Sequence, residues 1–250
     1  MQDEVSTYVK KRPKLGKYEA RCIGIKAIGT IPNTFNPAYD PKNTIRFNFE
    51  LVNYLDTFRK DGPKEPYVIN IDFNRYISKT SAFGKFLEIW TPGIIPDKGS
   101  VDYSKLIGKK AWVTVIEKPK ATNPKEKKSV IQAVEEYDGP EIKTAYNPLV
   151  LFELGSMECK FKKDQANKSE KAEVLPWYEL LPRLYMWEQR EISKALEFNR
   201  FCDEAGVSIA IPANTDKDGK TVVTIGGKAI ASGSEWQENE ADFNEEEAPF

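Results

Sequence analysis

Lysines crowd one short stretch of this chain. Lys118, Lys120, Lys125, Lys127 and Lys128 fill and flank the segment PKATNPKEKK, residues 119–128. Ammonium groups this close repel one another and suit a polyanion, whose phosphates they neutralise without reading sequence. A second stretch, IPNTFNPAYDPKN (31–43), sets Phe35 and Tyr39 among prolines and asparagines. Exposed rings of this kind stack on nucleobases, for ~1–3 kcal/mol per base. Other chemistries are poorly served. The chain has no histidine, which removes Ser-His-Asp and Cys-His nucleophilic catalysis, histidine general bases and histidine metal sites. Cys22, Cys159 and Cys202 lie far apart and outside any C-x-x-C pair, so neither a disulfide framework nor a zinc cluster is expected. Glycine pieces such as VTIGGKAI lack phosphate-loop spacing. No cofactor or metal is implied, and the chain is not expected to be an enzyme.

The lysine-rich and aromatic segments act together only if the elements around them bring them together. GKYEARCIGIKAIGT (16–30) reads as a long strand with a break near Gly24. In 44–56, Ile45, Phe47, Phe49 and Leu51 alternate with Arg46, Asn48 and Glu50, the period of a half-buried strand. In 67–76, Tyr67, Ile69, Ile71 and Phe73 alternate with Asn70, Asp72 and Asn74. The period then changes: Phe83, Phe86, Leu87 and Trp90 mark one face of a short helix, with Ser81 as its N-cap. Strands follow at 109–118 and 129–138. Five strands with a helix between the third and fourth is the order of an OB-fold barrel, which holds single strands on one face between the loop after strand one and the loop after strand four. Those loops are 31–43 and 119–128, the two segments above. On the expected outer face of the barrel, Arg46, Asn48 and Trp112 point away from the core, and Arg21, Lys26 and Arg75 line the same groove.

The rest of the chain is less regular. Residues 146–154 read as a strand or an extended brace and 159–173 as a polar linker. Residues 181–206 read as one helix, with Leu184, Trp187, Ile192, Leu196 and Phe201 on its apolar stripe and Gly206 as its C-cap. VSIAIP and KTVVTIGG suggest a hairpin turning at Asp218-Gly219. This segment must pack somewhere on the barrel, and Trp112 is a candidate to be covered by its helix. The expected architecture is therefore mainly β with helices: a basic arm (1–15), a five-stranded OB-fold core (16–145), an extension with helix and hairpin (146–231), and a disordered acidic tail (232–250).

Charge divides along those lines. Residues 235–250 hold seven acids and no Lys or Arg, so residues 1–234 carry a net +6 although the whole chain is at −1. A basic body suits nucleic acid, and an acidic tail either mimics that polyanion or recruits another partner. Hydrophobic residues make up 40%, enough for a core, but no apolar run nears the ~20 residues a membrane span needs. The first residues lack the apolar stretch of a secretory signal, so the expected location is the cytoplasm.

The tail, DFNEEEAPF, resembles that of bacterial and bacteriophage single-stranded DNA-binding proteins, which end in acids, a small or apolar residue, Pro and Phe. Asp242, Phe243, Glu245, Glu246, Glu247, Pro249 and Phe250 stand at the matching places. Asn244 interrupts the acids, and no glycine-rich linker precedes the tail. The body is more similar to the phage-encoded members, on strand order and length. The resemblance implies a sequence-nonspecific protein that coats single strands in replication, recombination or repair. It also implies that the tail recruits a polymerase, helicase or nuclease, and that it competes for the protein's own groove. The family's DNA contacts do not transfer by motif, so the groove residues rest on topology and residue type. A strand-annealing mediator is the nearest rival. A metal-dependent nuclease is the second, with Asp72 and Glu50 on candidate strands but no cluster around them.

Overall fold

The computed structural model of the protein describes residues 12–33, 38–56, 64–120, 123–142, 146–163, 170–212 and 221–232. β1 (Gly16–Ile31) is its spine. β2 (Lys42–Asp56) and β3 (Glu65–Asn74) follow it in an antiparallel meander, with Phe49 opposite Cys22 and Ile69 opposite Phe49. α1 (Ala82–Trp90) comes next, capped by Ser81, whose side chain accepts from the Gly84 amide. β4 (Lys110–Pro119) and β5 (Lys127–Glu136) form a hairpin, and β4 pairs antiparallel with the first part of β1, Gly16–Arg21. The period-two alternation places Ile45, Phe47, Phe49, Leu51, Val113 and Val115 in one core with Phe83, Phe86, Leu87 and Trp90 of α1. Phe47 sits at the centre, with ring centroids of Phe86 at 5.0 Å and Phe83 at 5.7 Å.

The strands and α1 follow one another along the chain as expected, and the sheet runs β3-β2-β1-β4-β5, but this path does not close into the expected five-stranded barrel. β3 and β5 lie against one another without a hydrogen-bonded ladder. α1 packs against both of them, and its Phe83 and Phe86 occupy the space where the two strands diverge.

A second core begins where β4 leaves β1. The register of β1 shifts between Cys22 and Gly24, close to the expected break, and beyond it Gly24–Ala27 pairs with β6 (Leu149–Glu153) in parallel. β7 (Cys159–Lys162) and β8 (Glu173–Leu175) extend that sheet outward from a stretch whose sequence suggested only a polar linker. The expected single helix over 181–206 is instead several short pieces. α2 (Trp177–Leu180) runs into a 3-10 turn at Leu181–Arg183, and α3 (Met186–Ile192) and α4 (Phe198–Ala205) follow. Leu184 and Tyr185 are extended, which ends the first piece. Between α3 and α4 the end of β1 pulls the chain out of the helix: the Leu196 amide donates to Thr30 O, and Glu197 accepts from the Thr30 amide at 3.0 Å. Leu196 is consequently exposed rather than on a core stripe. Gly206 caps α4 in the left-handed region, φ 64°.

β9 (Val207–Ala210) and β10 (Val222–Ile225) pair antiparallel as expected, and a further hairpin through Gly226-Gly227 adds β11 (Lys228–Ser232). The expected turn at Asp218-Gly219 lies outside the described residues. Trp177, Phe152, Leu181, Ile192 and Val223 join Ile28 of β1 in this second core. The protein is mainly β with helices. Among the described residues no helix is long and apolar enough to cross a membrane.

Candidate nucleic-acid interface

The lysine hairpin is built from the ends of β4 and β5. Its register sets Lys118 directly opposite Lys128 and Pro119 opposite Lys127. Like charges facing each other across a ladder destabilise it. Two lysines are offset locally: Lys127 pairs with Glu117 at 3.2 Å and Lys120 with Glu126 at 2.9 Å. Lys118, Lys125 and Lys128 make no side-chain ion pair within 4 Å among the described residues, and the first two are exposed. The end of the N-terminal arm reinforces the cluster. The Arg12 guanidinium donates to Lys127 O, Ser129 Oγ donates to Pro13 O at 3.1 Å, and Tyr54 OH donates to Arg12 O at 3.0 Å. The arm is thus stitched between β2 and β5, and Arg12 joins the lysines. The basic composition of residues 10–14 signals such an arm, but only tertiary contacts place it.

The loop after β1 is at the other end of the sheet. Tyr39 is 63% exposed there, and Tyr76, just past β3, is 66% exposed. The Arg75 amide donates to Asn43 O, which sets Tyr76 beside the start of β2. Phe35 lies outside the described residues.

Between these ends, the outer face of β1–β3 is not the open groove expected from alternation. Arg46 and Asn48 do point away from the core, but α3 lies over them, and both are buried to 1% or less. Asp72 takes Arg46 in a bidentate pair at 2.8 and 2.6 Å, Glu191 lies 2.7 Å from its other terminal nitrogen, and the Trp187 ring stacks on it at 4.6 Å. Burial alone would lower the arginine, but the two carboxylates outweigh it and hold the guanidinium firmly charged. Lys26 donates to both oxygens of Glu188, at 2.6 and 2.5 Å, beneath the Tyr185 ring. Its burial pushes the ammonium below the usual lysine range against the pull of Glu188. Asn48 donates to Glu188 at 3.2 Å, while its Oδ1 has no hydrogen-bond partner.

Arg21 is also buried, donating to Ile142 O at 3.0 Å and lying 3.7 Å from Glu50. Glu50 in turn accepts from the amide and side chain of Asn147, both at 3.1 Å. Arg75 pairs with Glu153 of β6 at 2.6 Å. Asp72 and Glu50, the candidate nuclease acids, are therefore both engaged by partners in the sheet and the segment after it. Among the described residues no three His, Cys, Asp or Glu side chains are grouped to hold a metal.

Trp112 is covered neither by α3 nor by α4. Tyr137 tilts against it at 4.9 Å, Lys17 lies over its ring at 5.4 Å, and its Nε1 donates to Asp138 at 2.7 Å. Its cross-strand neighbours are Glu19 and Glu135. Acids on both sides make this an unfavourable ring site for a phosphate backbone.

The expected residues therefore separate into three groups: a hairpin cluster in which Lys118, Lys125 and Lys127 are exposed and Lys120 and Lys128 partly buried, a buried charged face (Arg21, Lys26, Arg46, Asn48), and peripheral residues (Tyr39, Arg75, Trp112). Alternation did not reveal Tyr185, Trp187, Glu188 and Glu191 as partners of that face. Trp187, Glu188 and Glu191 share the short α3 and Tyr185 stands at its N-cap, but nothing in their spacing names the surface they cover. The tail residues Asp242, Phe243, Glu245, Glu246, Glu247, Pro249 and Phe250 lie outside the described residues. No family model, curated protein or solved structure matches the chain.

Proposed function

We propose that the chain is a sequence-nonspecific single-stranded DNA-binding protein of DNA replication, recombination or repair. It works in the cytoplasm, in a host cell if phage-encoded, and is built on an OB-like open barrel. The observation that carries this is the β4–β5 hairpin. Lys118 and Lys128 oppose each other across the ladder, with Lys125 at the tip and Arg12 brought alongside. A sequence that keeps uncompensated like charges in register gains from an anion that bridges them. The OB-like character is supported by the strand order, by α1 between β3 and β4, and by a long β1 that pairs with β2 along most of its length and with β4 over its first part. The basic body and the family-like tail support the same function, with the tail recruiting a polymerase, helicase or nuclease.

The test is a salt-dependent titration with single-stranded and duplex DNA. Single strands should bind more tightly, and log affinity should fall linearly with log salt, by about 0.7 for each phosphate neutralised. Equal affinity for duplex, or affinity indifferent to salt, rules the function out.

A further inference from the structure

Two hydrophobic cores meet at a charged seam. The first core holds β1–β5 and α1; the second holds β6, β7 and the helices that follow. Among the described residues, three ion pairs within 4 Å cross between them: Lys26–Glu188, Arg46–Glu191 and Arg75–Glu153. In all three the cation belongs to the β1–β5 unit and the acid to the extension. Glu197 of the extension also accepts across the seam, from the backbone and side chain of Thr30, while Glu50 of β2 accepts from Asn147. At the ion pairs the β1–β5 unit offers cations and the extension answers with carboxylates. α3 also brings rings, Trp187 on Arg46 and Tyr185 over Lys26. Acid and ring together are the chemistry a single strand would present to the same face: phosphate for the charge, base for the stack.

The seam is also built at a cost that a permanent contact would avoid. Buried ion pairs lose hydration that well-packed apolar residues would not, so their stabilising value is poor. The closed arrangement further leaves the Asn48 Oδ1 acceptor buried without a donor. A buried polar atom without a partner calls for an explanation. Beside it Gly24 holds space open: a Cβ there would come within 3.2 Å of that oxygen and of Lys26.

We infer that the face formed by Lys26, Arg46 and Asn48 is a cryptic site for the phosphate backbone of single-stranded DNA, held shut by Glu188 and Glu191 of α3, which the strand displaces on binding. This rests on the function proposed above, and it concerns a competitor inside the folded body, separate from the acidic tail. Displacement moves α3 off β1 and β2 while the β1–β6 ladder stays as the hinge. Binding at the exposed hairpin comes first, and the face then extends the site.

Hydrogen exchange on the full chain, with and without saturating oligo(dT), tests it. The amides of Gln189 and Ser193, protected by Tyr185 O and Gln189 O in the closed state, should exchange faster when the strand is bound. The double variant Glu188→Gln/Glu191→Gln should bind oligo(dT) about fivefold or more tightly, because the competitor is weakened. Its salt slope should steepen by about one, because the strand no longer releases carboxylates that take up cations. The variant Lys26→Met/Glu188→Met keeps α3 seated on apolar packing; it should bind more weakly, and oligo(dT) should no longer accelerate α3 exchange. If either variant fails to fold, the exchange on the unaltered protein decides alone. Oligo(dT) bound through the hairpin with α3 exchange unchanged or slowed overturns this inference and leaves the proposed function standing. No binding of oligo(dT) at all overturns both.

Discussion

Lys118 and Lys128 face each other across the β4–β5 ladder, so their substitution separates binding from folding. Lys118→Ala/Lys128→Ala removes two of the cations proposed to meet phosphate, and one like-charge repulsion. Affinity for single strands should fall about equally for every sequence, and the salt slope should flatten by roughly 1.4. Thermal stability should hold or rise slightly, because the repulsion is relieved. A variant that bound normally would remove the hairpin from the site. Glu197 tests the seam in the same way. Burial by itself raises its carboxyl, but the Thr30 hydroxyl and amide outweigh that and hold it below the usual 4.5. A folded value below the unfolded one gives stability that is complete above the unfolded pKa and is lost as pH falls through the folded one. Glu197→Gln should therefore cost about 1–2 kcal/mol in urea unfolding at neutral pH. The gap to the native chain should narrow in acid, and a constant gap would assign Glu197 a purely steric role. At this scale residue type was a better guide than exposure. Lysines in a proline-bounded loop are legible as exposed charge, whereas Arg46 and Asn48 look solvent-facing until α3 is placed over them.

α1 shows how an element's position decides what its residues tolerate. Gly84 lies inside a helix, where Ala is intrinsically better by about 1 kcal/mol. A Cβ at Gly84, however, would come within 1.8 Å of the Ser78 carbonyl oxygen, a backbone atom that cannot swing away. Gly84→Ala should destabilise by roughly 3 kcal/mol, measured as a lower urea midpoint at unchanged slope. Ser81→Ala, which loses the cap on the Gly84 amide together with the hydroxyl's bonds to the Ser78 amide and carbonyl, should cost about 1–2 kcal/mol. The first five strands and α1 were legible because one face of each is buried, which imposes a period of two or of 3.6 on the sequence. The 181–206 region was legible only in part. Pro182 stands in the sequence as a helix breaker and falls in the 3-10 turn that Leu184 ends, but the break between α3 and α4 comes from elsewhere in the fold, where Thr30 of β1 competes for the backbone and carboxylate that would have joined them. β7 and β8 leave no pattern in the sequence, since strands of four and three residues are too short to show alternation.

Over the whole molecule, charge is sorted more strongly than its near-zero total suggests. The first 234 residues carry +6 against seven acids in the last sixteen. Within the body the sorting recurs, since the β1–β5 unit supplies the cations and the extension the acids at each ion pair of the seam. Cation-bearing surfaces that are answered first from within the chain bind an external polyanion only by exchange, and exchange keeps such a protein off weak competitors. Removing Glu245–Phe250 takes three side-chain carboxylates and the terminal ring from the chain without altering any residue of the β1–β5 unit or the seam. Single-stranded DNA should then bind as before or more tightly, by up to about tenfold at low salt and by less as salt screens the tail. Capture of a replication helicase, polymerase or nuclease by immobilised protein should be abolished, because the acids that steer the encounter and the ring that fills an apolar notch are lost together. Phe250→Ala divides the two contributions. It keeps every acidic side chain, so DNA affinity should stay at the native value while partner capture falls with the deletion. Markedly weaker DNA binding by the deletion would place the tail within the DNA site itself, and the two layers of internal competition would reduce to the one at α3.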